Sequence, residues 1–108
     1  MKKIIVTAPV GEAADKVRQA MGETGAGKVG NYSFCSFSVR GVGRFLPCDG
    51  AHPAIGEVGK LEEVEEERIE VNCVDELVAD VVAAIRRVHP YEEPAVDIYP
   101  LEKGEEGH

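Results

Sequence analysis

The order in which strand-like and helix-like repeats follow one another is what most restricts how this chain can fold. Residues 3–8 are rich in β-branched side chains, and residues 31–39 and 61–73 alternate between apolar and polar positions. Both patterns predict β-strands, because successive side chains of a strand point to opposite faces. Residues 95–99 predict a last, short strand that follows Pro94.

Two segments carry the helical repeat instead. Apolar residues recur every three or four positions from Val10 to Met21, which predicts an amphipathic helix over residues 9–21. A second helix is predicted from an N-cap at Asp75 to the residue before Pro90, which cannot donate a helix hydrogen bond. The resulting order βαββαβ predicts an α+β, ferredoxin-like sandwich with one antiparallel sheet and two helices on one face.

The two helices leave the other face of this sheet without cover. Ile4 and Ile5 are neighbours, as are Phe34 and Cys35, so apolar side chains project from both faces of the predicted strands. Another copy of the same sheet is the most economical cover for the second face. We therefore predict a closed homo-oligomer whose sheets face each other and whose helices lie outside.

Length and charge restrict the classes of partner. The 108 residues have room for one domain, predicted at 1–101, with a long loop at 40–60 and an acidic tail at 102–108. A net charge of −8 argues against nucleic-acid binding, and no apolar segment is long enough to cross a membrane. Three cysteines make a poor disulfide framework, which predicts a reducing, cytoplasmic location.

Residue types that ligate divalent metals are present but lack a diagnostic spacing. The weak candidates are Cys48, His52, His89, Glu92 and Glu93. None of the patterns CxxC, HxH or HExxH joins them, so a divalent metal stays an alternative. The GxGxxG pattern at residues 25–30 follows a predicted helix instead of opening one, which indicates a turn. No catalytic residue and no cofactor-binding residue is assigned.

Two other segments are predicted to have structural roles. Pro90 and Pro94 stiffen the crossing between the second helix and the last strand, where Tyr91 covers the end of the core with its hydroxyl in water. A carboxylate-lined ligand site is the alternative for this crossing. The acidic run at residues 62–67 predicts a solvated strand end that projects past the body.

The phrase HPYEEP at residues 89–94, with AVDIYPL after it, resembles the Nif-three-like family, named for Ngg-one-interacting factor three. The blocks GNYSFCSF at 30–37 and GEVGKLE at 56–62 resemble the same family. Together the three blocks cover most of residues 25–101. They resemble the inserted domain of longer family members, a module similar to the PII signalling proteins and the CutA divalent-cation-tolerance proteins.

The resemblance implies a PII-like, CutA-like domain that associates as a trimer with its sheets facing inward. The loop 40–60 then takes the place of the long loop with which PII-like proteins contact ligands or partners. We expect Arg44, His52, Lys60 and Tyr91 to serve that contact. The metal-binding core of the longer, GTP cyclohydrolase-like members has no match in these residues, so no catalytic residue carries over.

Three functions follow as hypotheses. The first is a non-enzymatic, trimeric PII-like module that presents loop 40–60 at its subunit clefts to a small-molecule ligand or a protein partner. The second is a CutA-like protein that binds a divalent metal. The third is a metal-dependent, GTP cyclohydrolase-like hydrolase.

Overall fold

The structure, a computed structural model, describes residues 1–102, so all but the first residue of the predicted acidic tail lies outside the described residues. The predicted order βαββαβ is confirmed. The elements are β1 (Lys2–Pro9), α1 (Glu12–Glu23), β2 (Phe37–Phe45), β3 (Glu62–Cys73), α2 (Val78–Val88) and β4 (Val96–Pro100).

The four strands form one antiparallel sheet in the order β2-β3-β1-β4. This order confirms the ferredoxin-like topology. In the centre of the sheet, Ile4 of β1 lies opposite Val71 of β3, and Val6 lies opposite Ile69. These four side chains point to the same face, which the helices cover.

The core lies between that face and the two helices. β1 and β3 contribute alternate residues, and each helix contributes one apolar stripe, as the sequence periods predict. The largest fully buried side chains are Ile4, Val6, Val17, Met21, Ile69, Val81 and Ile85. Cys73 ends the β3 row, and burial raises the pKa of its thiol, which keeps it in the neutral form.

The predicted bounds of the second strand are wrong. β2 begins at Phe37 and not at residue 31, and it continues to Phe45. Phe34 has a φ of 61°, and the Cys35 amide donates to the Gly27 carbonyl, so the chain turns before the strand begins. The first six residues of the predicted 40–60 loop are therefore strand, and the loop spans residues 46–61.

The helices also begin later than predicted. Pro9 still belongs to β1, where it lies opposite Glu66, and Gly11 makes the turn into α1 with a φ of 104°. Asp75 opens a single 3-10 turn before α2 and makes no capping hydrogen bond. Its carboxylate instead accepts from the Lys2 ammonium at 3.3 Å.

The helix-free face of the sheet carries exposed apolar side chains. Phe37 is 63% exposed and Val39 40% exposed, and both lie on this face together with Ile5 and Tyr99. Apolar groups thus project from both faces, as Ile4 and Ile5 predict, whereas Phe34 precedes β2 and takes no part. Within residues 1–102, no helix combines the length and apolarity needed to cross a membrane.

Candidate functional site

A cavity of about 400 Å³ opens on the helix-free side, where β1 ends. Three parts of the chain enclose it: the end of β2, the loop that follows, and the HPYEEP segment before β4. Thr7 and Glu66 also line it, from the two central strands. The remaining lining residues are Gly43, Arg44, Phe45, Leu46, Pro47, Cys48, Ala51, Pro53, Ala54, Ile55, Tyr91, Glu92, Glu93 and Ala95.

His89 anchors the HPYEEP segment to β1. Its Nε2 lies 2.7 Å from the carbonyl oxygen of Thr7, and its Nδ1 accepts from the Tyr91 amide at 3.1 Å. Because a carbonyl only accepts and an amide only donates, the ring carries its proton on Nε2 and is neutral. His89 is only 7% exposed. Both ring nitrogens are therefore occupied by backbone groups, which leaves neither free to ligate a metal.

Tyr91 joins the same segment to β3. Its hydroxyl donates to Glu66 Oε2 at 2.7 Å, and Glu66 is only 8% exposed. Burial, and then the hydrogen bond and the negative charge of Glu66, raise the pKa of Tyr91. The hydroxyl thus remains a donor at neutral pH. The hydroxyl that was expected to lie in water thus has a protein partner, the carboxylate of Glu66.

A glycine on the neighbouring strand makes room for Glu66. A Cβ atom at Gly43 would lie 2.1 Å from Glu66 Oε1. Beyond Gly43, the ring of Phe45 packs 6.0 Å from the ring of Tyr91, measured between centroids. The carboxylate therefore lies close to two aromatic rings. It occupies a space that is open only because glycine has no side chain.

The loop 46–61 is held by hydrogen bonds at its base and near its middle. The Gly59 amide donates to the Pro47 carbonyl at 2.8 Å, which closes the base of the loop. The backbone amide of His52 donates to Glu92 Oε1 at 3.0 Å, which joins the loop to the HPYEEP segment. These bonds give the cavity its outer wall.

The structure brings most of the predicted site residues together. Arg44, Cys48, Tyr91, Glu92 and Glu93 line the cavity. His52 takes part through its backbone, and His89 supports the wall from behind. Lys60 lies apart from the lining and pairs with Glu57 at 3.1 Å.

The charges of the site leave it acidic. Arg44, the cationic residue of the lining, pairs with Glu63 at 3.3 Å. Glu66, Glu92 and Glu93 contribute three carboxylates. In the part of the chain that the structure describes, no three His, Cys, Asp or Glu side chains converge as a metal centre would require.

Glu66, Gly43 and Thr7 are site residues that the sequence analysis missed. The acidic run predicts that Glu66 is solvated like its neighbours. A signal was present nonetheless, since Gly41 and Gly43 are two positions apart and thus bare one face of a strand. Such a bare face indicates that another group approaches the backbone closely.

Fold and site define the chain as a CutA-like, ferredoxin-like domain with a pocket beside its helix-free face. CutA1 from Pyrococcus horikoshii superposes with a TM-score of 0.71 over 98% of this chain and 88% of its own, at 20% identity. A Bacillus cereus protein related to NIF3 superposes with a TM-score of 0.81 over 94% of this chain, at 46% identity. No protein-family model matches the chain.

Sequence comparison also finds relatives that are far more similar to this chain than CutA1 is, as the comparison with the B. cereus structure does. The "GTP cyclohydrolase 1 type 2 homolog" of Mycobacterium bovis is 54% identical over 90 residues, which are 83% of this chain. These two comparisons confirm the predicted resemblance to the Nif-three-like family. The chain spans about a quarter of the length of the relatives it matches, namely 24% of the M. bovis protein and 26% of the B. cereus one.

Proposed function

We propose that the chain is a non-enzymatic, cytoplasmic PII-like module that forms a homotrimer and binds a small-molecule ligand or a protein partner at its pockets. One observation supports this most strongly: the helix-free face of the sheet, which carries exposed apolar side chains, adjoins a formed cavity. Assembly through that face places the cavities beside the subunit clefts.

The apolar side chains of the helix-free face supply the reason to assemble. Val39 and Phe37 lie where neither helix covers them, opposite Arg68 and Glu70, and burial of their apolar surface is favourable by about 25 cal/mol for each Å² removed from water. Covering them with a second copy recovers this free energy without a further element of the chain.

The sheet edges suit a closed ring of copies, and the number three follows from the resemblance to PII-like proteins. In the described residues, β2 pairs with β3 alone and β4 pairs with β1 alone, so two different edges remain available. A trimer uses a heterologous contact, in which one surface of each copy meets a different surface of the next. The two unlike edges meet this requirement, and closing the ring removes both as templates for aggregation.

The ligand-binding part of the proposal concerns Arg44, His52, Lys60 and Tyr91. Tyr91 and Arg44 line the cavity directly, and the His52 amide ties the loop to Glu92. Lys60 lies outside the cavity, and in this proposal it contacts the partner on the outer surface of the loop. The cavity has the size of a small-molecule site, which runs from about 300 to 1,000 Å³.

Mass measurement by light scattering tests the assembly. Val39→Lys places a charge on the helix-free face and is expected to convert trimers to monomers. Val88→Lys is the matched control, since Val88 is similarly exposed but lies on α2, and a lysine suits the end of a helix. Equal masses for the two variants would contradict assembly through the sheet.

Metal and GTP measurements test the two other functions. We expect metal-free protein to take up less than one tightly bound zinc or copper ion per chain, and to leave GTP unchanged with or without divalent metal. Stoichiometric metal uptake that is lost in Glu92→Gln would favour a metal-binding protein. GTP turnover by this chain would favour the hydrolase.

A further inference from the structure

Glu66 is a buried carboxylate whose charge has no cationic partner. Its Oε2 accepts from Tyr91, whereas Oε1 accepts no hydrogen bond and Glu66 forms no ion pair within residues 1–102. Arg68 lies two positions along on the same face of β3, yet it pairs with Glu70 at 2.9 Å. Oε1 is open to solvent, because within residues 1–102 no fully buried side-chain oxygen lacks a hydrogen-bond partner, so a cation in the cavity can reach it.

The cavity next to this carboxylate has the lining that an organic cation requires. Glu92 and Glu93 add negative charge, and the arginine of the lining already has a carboxylate partner in Glu63. The rings of Phe45 and Tyr91 flank the space, and the face of an aromatic ring attracts a cation. An anion would meet three carboxylates and is disfavoured.

Most of the rest of the lining is apolar and comes from the loop. This apolar part includes Leu46, Pro47, Ala51, Pro53, Ala54 and Ile55. A bare metal ion gains nothing from such a wall, whereas the hydrocarbon part of an organic ligand gains by its burial. The carboxylates and the apolar loop residues together therefore favour a ligand with a cationic donor at one end and an apolar body at the other.

We infer that the cavity binds an alkylammonium ligand, whose ammonium group donates to Glu66 Oε1 while its hydrocarbon body lies against the loop 46–61. This inference rests on the proposed function, because it names the class of ligand for the proposed pocket. It also assigns a role to Gly43, which leaves the space in which Oε1 stands.

Three six-carbon probes that differ only in their head group test the inference. Hexylammonium, hexan-1-ol and hexanoate are titrated at pH 7 into ¹⁵N-labelled protein, and the amide shifts of Gly43 and Tyr91 are followed. We expect hexylammonium to bind at least tenfold more tightly than hexan-1-ol, and hexanoate not to saturate. Equal affinity for the ammonium and the alcohol, or no binding of either, overturns the inference.

Glu66→Gln separates the charge from the shape of the site. The amide oxygen still accepts from Tyr91, so the fold is expected to persist, and hexylammonium is expected to lose at least tenfold in affinity while hexan-1-ol is unchanged. Glu65→Gln is the control, because Glu65 is exposed on the opposite face of β3. Unchanged ammonium binding in Glu66→Gln overturns the inference; should that variant not fold, the three probes on the unaltered chain still decide.

The mass of the unaltered chain is measured in the same samples. Trimers that bind no ammonium would overturn this inference and leave the proposed assembly standing. Monomers that bind it would contradict the assembly and support the ligand class. Trimers that fall apart on addition of hexylammonium would show that a neighbouring copy fills the cavity, which also overturns the inference.

Discussion

At the scale of single residues, the site depends on a glycine and a carboxylate that share one space. The carboxylate of Glu66 lies where a side chain at Gly43 would stand, and it accepts from the Tyr91 hydroxyl from that position. Glu66 does not stand out within its acidic run, and Gly43 stands out only through its spacing from Gly41. Their relation arises only when β2 and β3 pair and the HPYEEP segment closes over them.

Gly43→Ala is expected to displace the Glu66 carboxylate and to break its hydrogen bond with Tyr91. The expected cost in unfolding free energy is about 1.5 to 3 kcal/mol, the range for a hydrogen bond to a charged group. Gly41→Ala is the matched control, since Gly41 lies on the same face of β2 with no atom near its missing Cβ. Urea denaturation measures the unfolding free energy of both variants. Equal stabilities would contradict the claim that the Glu66 carboxylate occupies the space beside Gly43.

Tyr91→Phe is expected to reveal the raised pKa of Tyr91 through stability. Because that pKa lies higher in the folded than in the unfolded chain, the hydroxyl stabilises the fold fully below about pH 10. Above pH 10 the unfolded tyrosine loses its proton first, so the advantage over Tyr91→Phe shrinks by up to about 1.4 kcal/mol per pH unit. Denaturation at pH 8 and pH 11 measures it, and a difference that does not vary with pH would contradict the account.

At the scale of elements, one arginine links the first helix to the sheet. Arg18 of α1 donates to Glu67 of β3 and to Ser38 of β2, and it pairs with Asp15 on its own helix. Glu67 is partly buried, so this link is shielded from water more than an ordinary surface pair. It holds α1 over the boundary between β2 and β3.

Arg18→Gln is expected to lower the unfolding free energy by about 1 to 3 kcal/mol, because it leaves the half-buried Glu67 without its cation. Lys16→Gln is the control on the same helix. Lys16 pairs with Glu12 in full contact with water, where an ion pair contributes little to stability. Thermal denaturation compares the two, and a larger loss for Lys16→Gln would show that Arg18 does not link the elements.

Local repeats predicted the elements well and their junctions poorly. The apolar stripes of α1 and α2 and the alternation of β3 follow from neighbours a few positions apart, and the structure confirms them. The start of β2 depends on the turn at Phe34, and the burial of Glu66 depends on Tyr91, 25 residues further along. Contacts between residues so far apart in the chain do not affect the short-range repeat of apolar and polar residues, so that repeat cannot predict them.

At the scale of the whole molecule, the sheet has one face that the helices cover and one exposed face, on which Phe37 and Val39 lie beside the charged side chains of Arg68 and Glu70. The order of repeats was enough to predict the fold, because few arrangements satisfy βαββαβ in a single layer of strands. The predicted site residues Arg44, Cys48, Tyr91, Glu92 and Glu93 also meet at one cavity. The burial of Glu66 beside that cavity was not predicted, because the acidic run gave Glu66 the same expectation as its solvated neighbours and the two glycines at 41 and 43 were the one indication of a close approach.

The mass of the chain in dilute solution tests most directly whether the helix-free face is an interface. Light scattering during gel filtration at micromolar concentration is expected to give three times the 11.6 kDa of one chain. A mass of 11.6 kDa would mean that Phe37 and Val39 remain in water and would contradict the account.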